Sequence, residues 1–399
     1  MRGALKFGNR RTDLEGVTSG AAASLGHPRR SLLPGNRLVA AFVLGLLAAV
    51  PVLSLRLIWA DRLGQGIASA FTTVYAGRYV DNPLTTMVIM RDAQGYAALA
   101  RDPSLARPEV FYDETHAAYR AQRPLLAYAL WAMSLGQPRF IEPLLVLTAL
   151  AGAGFLALAG ARLLEDRGVD GRLGAVLVVT PGAVASLVGL VPETWAAGFA
   201  LFGVRSWLRG RPGAAVALLM LATLTRETML LVPAVLAWPA LRNLGWRRAL
   251  TLSVPFLAWG TWLAVVKARF GAWPWESPPS RLSAPLVGIV EAAPHMSDPA
   301  VMAGGALLAV ALVVLCLRRL GDPLAPLALA FAVLGVLLAA PVWWRWEDIG
   351  RVLLPLYAFG ALVLISPPPS PNGVQDAPGT ARSVHQLGWL AKGGGGRRA

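Results

Sequence analysis

Asp92 opens the segment Arg91-Asp92-Ala93-Gln94-Gly95-Tyr96-Ala97-Ala98-Leu99-Ala100-Arg101-Asp102-Pro103. An acid so placed serves either as a helix N-cap or solvated acid, or as a general base facing Tyr96 and Leu99. Further on, Tyr119-Arg120-Ala121-Gln122-Arg123-Pro124 brings two guanidinium groups close together. Their donors match phosphate oxygens bidentately, and they suit lipid headgroups as well. Arg226-Glu227 forms a two-residue charged break between apolar runs, near membrane depth, where ionisable groups are costly and tend to mark pathways. The two either pair with each other or with Glu193, or they act on a substrate. Glu193, in Val191-Pro192-Glu193-Thr194-Trp195, caps a helix or orients an arginine or a substrate group. In Trp343-Trp344-Arg345-Trp346-Glu347-Asp348, which precedes Arg351, the tryptophans suit a membrane interface, while Arg345 and Arg351 are of a type that could reach a phosphate. Asp102, Asp113, Glu114 and His116 compete with Asp92 for the part of base.

The elements that must position these residues are membrane spans. Of the 399 residues 55% are hydrophobic and 15% charged, with a mean hydropathy of +0.53, which excludes a soluble enzyme. A spanning helix needs about 20 mainly apolar residues. Ten candidate runs are found, at 38–59, 140–162, 173–191, 193–208, 213–225, 228–242, 249–266, 300–317, 324–342 and 351–367. The runs at 213–225 and 228–242 are short, as in a broken hairpin or a pair of half-helices. The expected architecture is therefore an all-α polytopic membrane domain over 38–367, between a disorder-prone basic leader at 1–37 and a disorder-prone tail at 368–399.

The charge fits one topology. With the N-terminus in the cytoplasm, the cytoplasmic segments hold 22 of the 37 Lys and Arg but only 7 of the 22 Asp and Glu. The entire net charge of +15 then lies on the side that the positive-inside rule predicts, so it gives no case for nucleic acid as a partner. Both termini are cytoplasmic in this reading, and the long interruption at 60–139 faces outward. That loop is expected to hold short juxtamembrane helices, one from about Asp92 to Ala100 and one from Pro124 to Leu135, the second lying along or dipping into the outer leaflet. Trp273-Pro274-Trp275 reads as an interface anchor or as part of a loop over an outer cavity. Cys316 and four scattered histidines cannot form a disulfide framework or a Cys/His zinc cage.

Taken in order, the acid followed by Tyr-x-x-Leu-Ala-Arg-Asp-Pro, then Tyr-Arg-x-Gln-Arg-Pro-Leu-Leu, then Leu224-Thr225-Arg226-Glu227-Thr228 between short helices, resembles the GT-C superfamily of membrane glycosyltransferases. The likeness is closest to bacterial proteins described as forming cell-surface glycopolymers, with aminoarabinose transferases and protein O-mannosyltransferases as more distant relatives. It covers roughly residues 38–270. Ala93, where a glycine is expected after the acid, and Ala121, where an aromatic is usual, depart from the pattern without removing a chemical group.

The resemblance implies an inverting transferase at the outer face of a bacterial plasma membrane. Its donor is a polyprenyl-phosphate-linked sugar and its acceptor a surface glycan or glycolipid, amid membrane lipids. Carried over by position, Asp92 is the base, and Arg120, Arg123 and Arg226 are candidates for the phosphate. Tyr96, Glu193, Glu227, Arg345 and Arg351 are further candidates for the substrate site, read from their own settings, and the last two lie beyond the residues that the resemblance covers. No organic cofactor is implied. The outer acids could hold a divalent cation, but no EF-hand-like or Asp-x-Asp spacing asks for one. The competing readings are a transporter or flippase of lipid-linked sugars and a non-catalytic subunit of a polysaccharide-assembly complex.

Overall fold

The computed structural model describes residues 34–67, 83–89, 92–107, 117–276 and 281–367. Most of the leader, the tail, and the stretch holding Asp113, Glu114 and His116 lie outside the described residues. Within them the chain is helical, with no strand and a single isolated bridge between Leu282 and Leu338.

In chain order the helices begin with α1 (Pro34–Ile67), α2 (Pro83–Ile89), α3 (Ala93–Arg101), α4 (Ala117–Ala121), α5 (Pro124–Met133) and α6 (Ile141–Glu165). A 3-10 stretch, Gly171–Val179, leads into α7 (Pro181–Gly189), α8 (Glu193–Leu208) and α9 (Pro212–Thr225). After Arg226 and a short 3-10 turn come α10 (Leu231–Asn243), α11 (Trp246–Thr251), α12 (Val254–Phe270) and α13 (Val287–Ala292). The chain closes with α14 (Pro299–Arg318), α15 (Ala325–Val336), α16 (Ala340–Trp343), α17 (Trp346–Val352) and α18 (Leu354–Ile365).

All ten apolar runs are helical, but their lengths differ from the sequence expectation. Among the described residues four helical segments are long and apolar enough to cross a membrane: Gly35–Ala60, Pro138–Glu165, Trp246–Phe270 and Pro299–Arg318. The count reaches six if two bent pairs each act as one span. These are Gly171–Val179 with α7, bent by 61°, and α17 with α18, bent by 58°. Prolines mark both breaks: Pro181 and Pro355 each stand in the first turn of the second helix, where the missing N–H costs nothing. The architecture is that of a multi-pass, all-helical membrane protein. The outer surface of α14 is as apolar as a bilayer requires, with Val301, Leu307, Val310 and Leu317 exposed and only Met302, Leu312 and Cys316 buried.

Small residues let the helices approach each other closely, the device that replaces hydrophobic contrast inside a membrane. A Cβ on Gly174 would stand 2.4 Å from the Ala157 carbonyl oxygen of α6. A Cβ on Gly182 would stand 2.5 Å from Leu354 Cα and 2.7 Å from the Gly350 oxygen. Gly182 therefore seats α7 directly against the α17–α18 break and fixes the height of α17.

Charged groups staple the helix ends at one pole. Arg167 donates to both Asp322 oxygens at 2.8 and 2.9 Å and to Ser366 at 3.0 Å. Arg319 donates to the Val363 and Ser366 carbonyls, and Arg205 and Arg209 both reach Asp166. Arg205 lies in the last turn of α8 and Glu193 in its first. At 1.5 Å per residue the 16 residues of α8 separate this pole by about 24 Å from the one that carries the candidate residues.

Replacing Gly182 by Ala is expected to destabilise the protein by about 1–3 kcal/mol, because backbone atoms must move to admit the methyl group. Gly304→Ala on α14, where nothing lies within 4 Å, is the control. Equal melting temperatures for the two variants in detergent would refute the role given to Gly182.

Candidate functional site

α3 is almost wholly buried: Ala93 and every residue from Gly95 to Ala100 are in the core. It is thus an internal helix with Asp92 at its N-terminal end. Asp92 occupies the N-cap position yet forms no side-chain cap, and its carboxylate turns toward two arginines instead. Oδ1 accepts from Arg120 Nη1 at 2.5 Å, and Oδ2 lies 2.5 Å from Arg351 Nη2. Arg120 comes from α4, its stem lying across Gly95, where an added Cβ would be only 3.2 Å from Arg120 Cδ. Arg351 comes from α17, whose Asp348 accepts from the same Nη2 at 2.7 Å.

Two further ion pairs complete the cluster. Arg123, at the start of α5, donates from Nε and Nη2 to the two oxygens of Glu227 at 2.6 and 2.7 Å, and from Nη2 to the Tyr119 hydroxyl at 3.3 Å. Arg226, at the C-terminal end of α9, donates from Nη1 to Glu193 Oε1 at 2.8 Å and has its Nε 4.0 Å from Glu227. The break at Arg226-Glu227 therefore faces two helices at once, so the pair serves as a junction. Glu193 and Arg226 are 1% and 5% exposed, and charges so buried are tolerated only when paired.

Some polar atoms remain unmatched. Glu193 Oε2, the Tyr96 hydroxyl, Arg226 Nε and Arg351 Nε are buried without a hydrogen-bond partner among the described residues. The Tyr96 hydroxyl lies in the fields of Arg123, Glu193 and Arg226 without forming a bond of ordinary geometry.

Electrostatics fix the state of Asp92. Burial alone would raise its proton affinity, but Arg351, Arg120 with its hydrogen bond, and Arg123 together outweigh burial and hold the carboxyl well below the usual range. Asp92 is thus a firmly ionised and weakly basic carboxylate while both arginines stay on it.

The structure brings Asp92, Tyr96, Arg120, Arg123, Glu193, Arg226, Glu227 and Arg351 into one neighbourhood. Arg345 stays outside: it is exposed, its carbonyl accepts from Asp348 N at the start of α17, and no ion pair joins it to the cluster among the described residues. Asp102 closes the end of α3, accepting from Ser104 Oγ and Arg107 N at 2.6 Å each. Trp273 and Trp275 stack with ring centroids 5.0 Å apart.

Three contributors carry no site role in the sequence reading. Tyr119 sits with Arg120, Arg123 and Arg281 over its ring at 5.9, 5.3 and 5.6 Å, and Asp348 shares Arg351. Asp348 stands one turn before Arg351 in α17, a spacing that puts the pair on one helix face. Tyr119 lies in α4 and Arg123 just before α5, so their meeting depends on the turn between the two helices. Arg281 has no such sequence signal.

Across α17 from the charges lies an apolar cavity of about 250 Å³, lined by residues that include Met302, Gly305, Trp346, Ile349, Gly350 and Tyr357. At 100° per residue, Trp346, Ile349 and Gly350 share one side of α17, and Asp348 and Arg351 share the other. Among the described residues no group of three or more His, Cys, Asp or Glu side chains is arranged to hold a metal ion. No family model matches the chain, and neither does a curated protein or a solved structure.

Asp92→Asn is expected to destabilise the protein by about 3 kcal/mol, since it leaves Arg351 and Arg120 facing a neutral amide. The sign of the pH dependence follows from the depressed acidity of Asp92. Its contribution is complete above the unfolded-state value of about 3.9 and is lost as pH falls through the lower folded-state value. The difference in melting temperature between wild type and variant should hold steady from neutral pH to about pH 5 and shrink only below about pH 4. A difference already shrinking near neutrality would contradict the ion-paired state.

Proposed function

We propose that the chain is an inverting, integral-membrane glycosyltransferase of the GT-C kind. It moves a sugar from a polyprenyl-phosphate carrier to a surface glycan or glycolipid at the outer face of a bacterial plasma membrane. The observation that carries this reading is the ionised Asp92 carboxylate gripped by Arg120 and Arg351, with an apolar cavity on the far side of the helix that bears Arg351. A lipid-linked donor needs these parts together: cations for its phosphate, an apolar place for its tail and a carboxylate to receive a proton.

The chemistry is a single displacement. The acceptor oxygen bonds to the anomeric carbon while the bond from that carbon to the phosphate oxygen breaks, its electron pair staying on the phosphate. The acceptor proton passes to Asp92, and Arg120, Arg123, Arg226 and Arg351 stabilise the charge gathering on the leaving group. The phosphate leaves readily enough to need no acid. The unmatched Glu193 Oε2 and Tyr96 hydroxyl suit sugar hydroxyls, which can donate to the first and bond either way with the second. In this reading the shorter helices α8, α9, α10 and α15 complete a ten-span bundle with both termini cytoplasmic.

The test is the sugar composition of surface glycans in cells whose only copy carries Asp92→Asn, at matched protein level, beside a deletion strain. A general base contributes about 10²–10⁴-fold to rate, so the variant should lack the same sugar as the deletion. Wild-type glycans in the Asp92→Asn strain would overturn the reading in favour of a scaffold subunit. Accumulation of untransferred lipid-linked sugar on the inner face alone would overturn it in favour of transport.

A further inference from the structure

Asp92 and Arg351 are joined by a bond that neither can keep while it handles a substrate. Both Asp92 oxygens are occupied, Oδ1 by Arg120 and Oδ2 by Arg351, each at 2.5 Å. Arg351 is strained in the opposite sense. Its Nη2 serves two carboxylates, Asp92 and Asp348, while its Nε is buried without a partner among the described residues. Arg123 is taken up by Glu227 and Arg226 by Glu193.

Asp92, Glu193, Glu227 and Asp348 stand against Arg120, Arg123, Arg226 and Arg351, and Arg281 over the Tyr119 ring adds one further positive charge. A phosphate monoester carries about two negative charges, so added unchanged it would exceed that surplus in a poorly solvated place, which is costly. The exchange that avoids this cost is visible in the geometry. Two guanidinium groups converging on one small anion form the arrangement that recognises phosphate. That anion is now Asp92, and its arginines are the more open ones: the side chains of Arg120 and Arg351 are 28% and 13% exposed, against 6% for Arg123 and for Arg226. An anion arriving from solvent thus meets the Asp92 arginines first.

We infer that Asp92 is the resident anion of a phosphate site, and that an entering phosphate group takes Arg351 and a share of Arg120 while the carboxylate withdraws. The ligand class is a prenyl-linked phosphate, an identity that rests on the transferase reading; the exchange itself does not. Since the arginines are what suppress the proton affinity of Asp92, their transfer to the ligand restores it. The carboxylate becomes a competent base only once a donor is in place, so the protein does not hold an armed base in an empty site.

The exchange makes a prediction opposite in sign to a simple binding role for Asp92. Calorimetric titration of the full-length protein in detergent would use farnesyl phosphate and, separately, inorganic phosphate. Asp92→Asn should bind farnesyl phosphate about tenfold more tightly than wild type, because a competing charge has gone. Asp348→Asn, which removes the other carboxylate on Arg351, should tighten binding about threefold. Affinity in folded Asp92→Asn that equals or falls below wild type overturns the exchange. If Asp92→Asn fails to fold, unchanged or weakened binding by Asp348→Asn overturns it instead. Absence of phosphate binding in wild type and both variants does the same. A preference for farnesyl over inorganic phosphate supports exchange with a prenyl-linked ligand, and equal affinity supports exchange with the free anion. Tightened binding in a protein whose surface glycans are indifferent to Asp92→Asn would uphold the exchange while the transferase reading falls.

Discussion

Charge neutrality in a medium that solvates ions poorly is the constraint on which this molecule rests. A chain this apolar can bury ionised side chains at its helix ends only if each finds an opposite charge, because an unpaired buried ion costs several kcal/mol. The pairs are therefore not ornaments on a finished bundle. Arg123 with Glu227 joins α5 to the break after α9, Arg226 with Glu193 joins that break to α8, and Asp92 joins α3 to both α4 and α17. Helices distant in sequence are brought into register by the need to close these pairs. The same closure leaves a few atoms, such as Glu193 Oε2, without a match, and these are where a ligand gains most.

Close packing supports the electrostatics. Glycine at 182 brings α7 against the α17–α18 break, glycine at 95 admits the stem of Arg120, and glycine at 174 sets the 3-10 stretch on α6. Each contact fixes an element from which a charged side chain reaches its partner with little freedom of its own. Trp262 adds a hydrogen bond from α12 to the Ala121 carbonyl at 2.8 Å, which steadies the helix carrying Arg120.

Much of this was legible in the residues. The apolar runs mark the helices, and α3 and α5 begin within a residue of where Asp92 and Pro124 placed them, because proline at the first turn and an acid before an apolar run are local signals. Local signals also mislead. Asp92 has the sequence context of an N-cap, but two arginines outcompete the α3 amides for its oxygens. Arg345 and Arg351 look alike in sequence, yet only Arg351 lies on the inward side of α17. The partners of Asp92 and of Glu227 could not be read off, since spacing along the chain says nothing about which helix ends converge. The bends of 61° and 58° were likewise hidden inside runs that look continuous by hydropathy.

The staple at the opposite pole has a consequence in time. Arg167 and Asp322 are 155 residues apart, and at about 5–20 residues per second a ribosome needs roughly 8–30 s to travel between them. Throughout that interval the Arg167 guanidinium waits at the end of α6 without the carboxylate that will hold it. In that interval the early helices are held by packing and by the pairs already complete, such as Arg205 and Arg209 with Asp166 and Arg226 with Glu193. The staple at Arg167 closes only after Asp322 and then Ser366, 155 and 199 residues away, have been made, so the late helices are what tie down the end of α6.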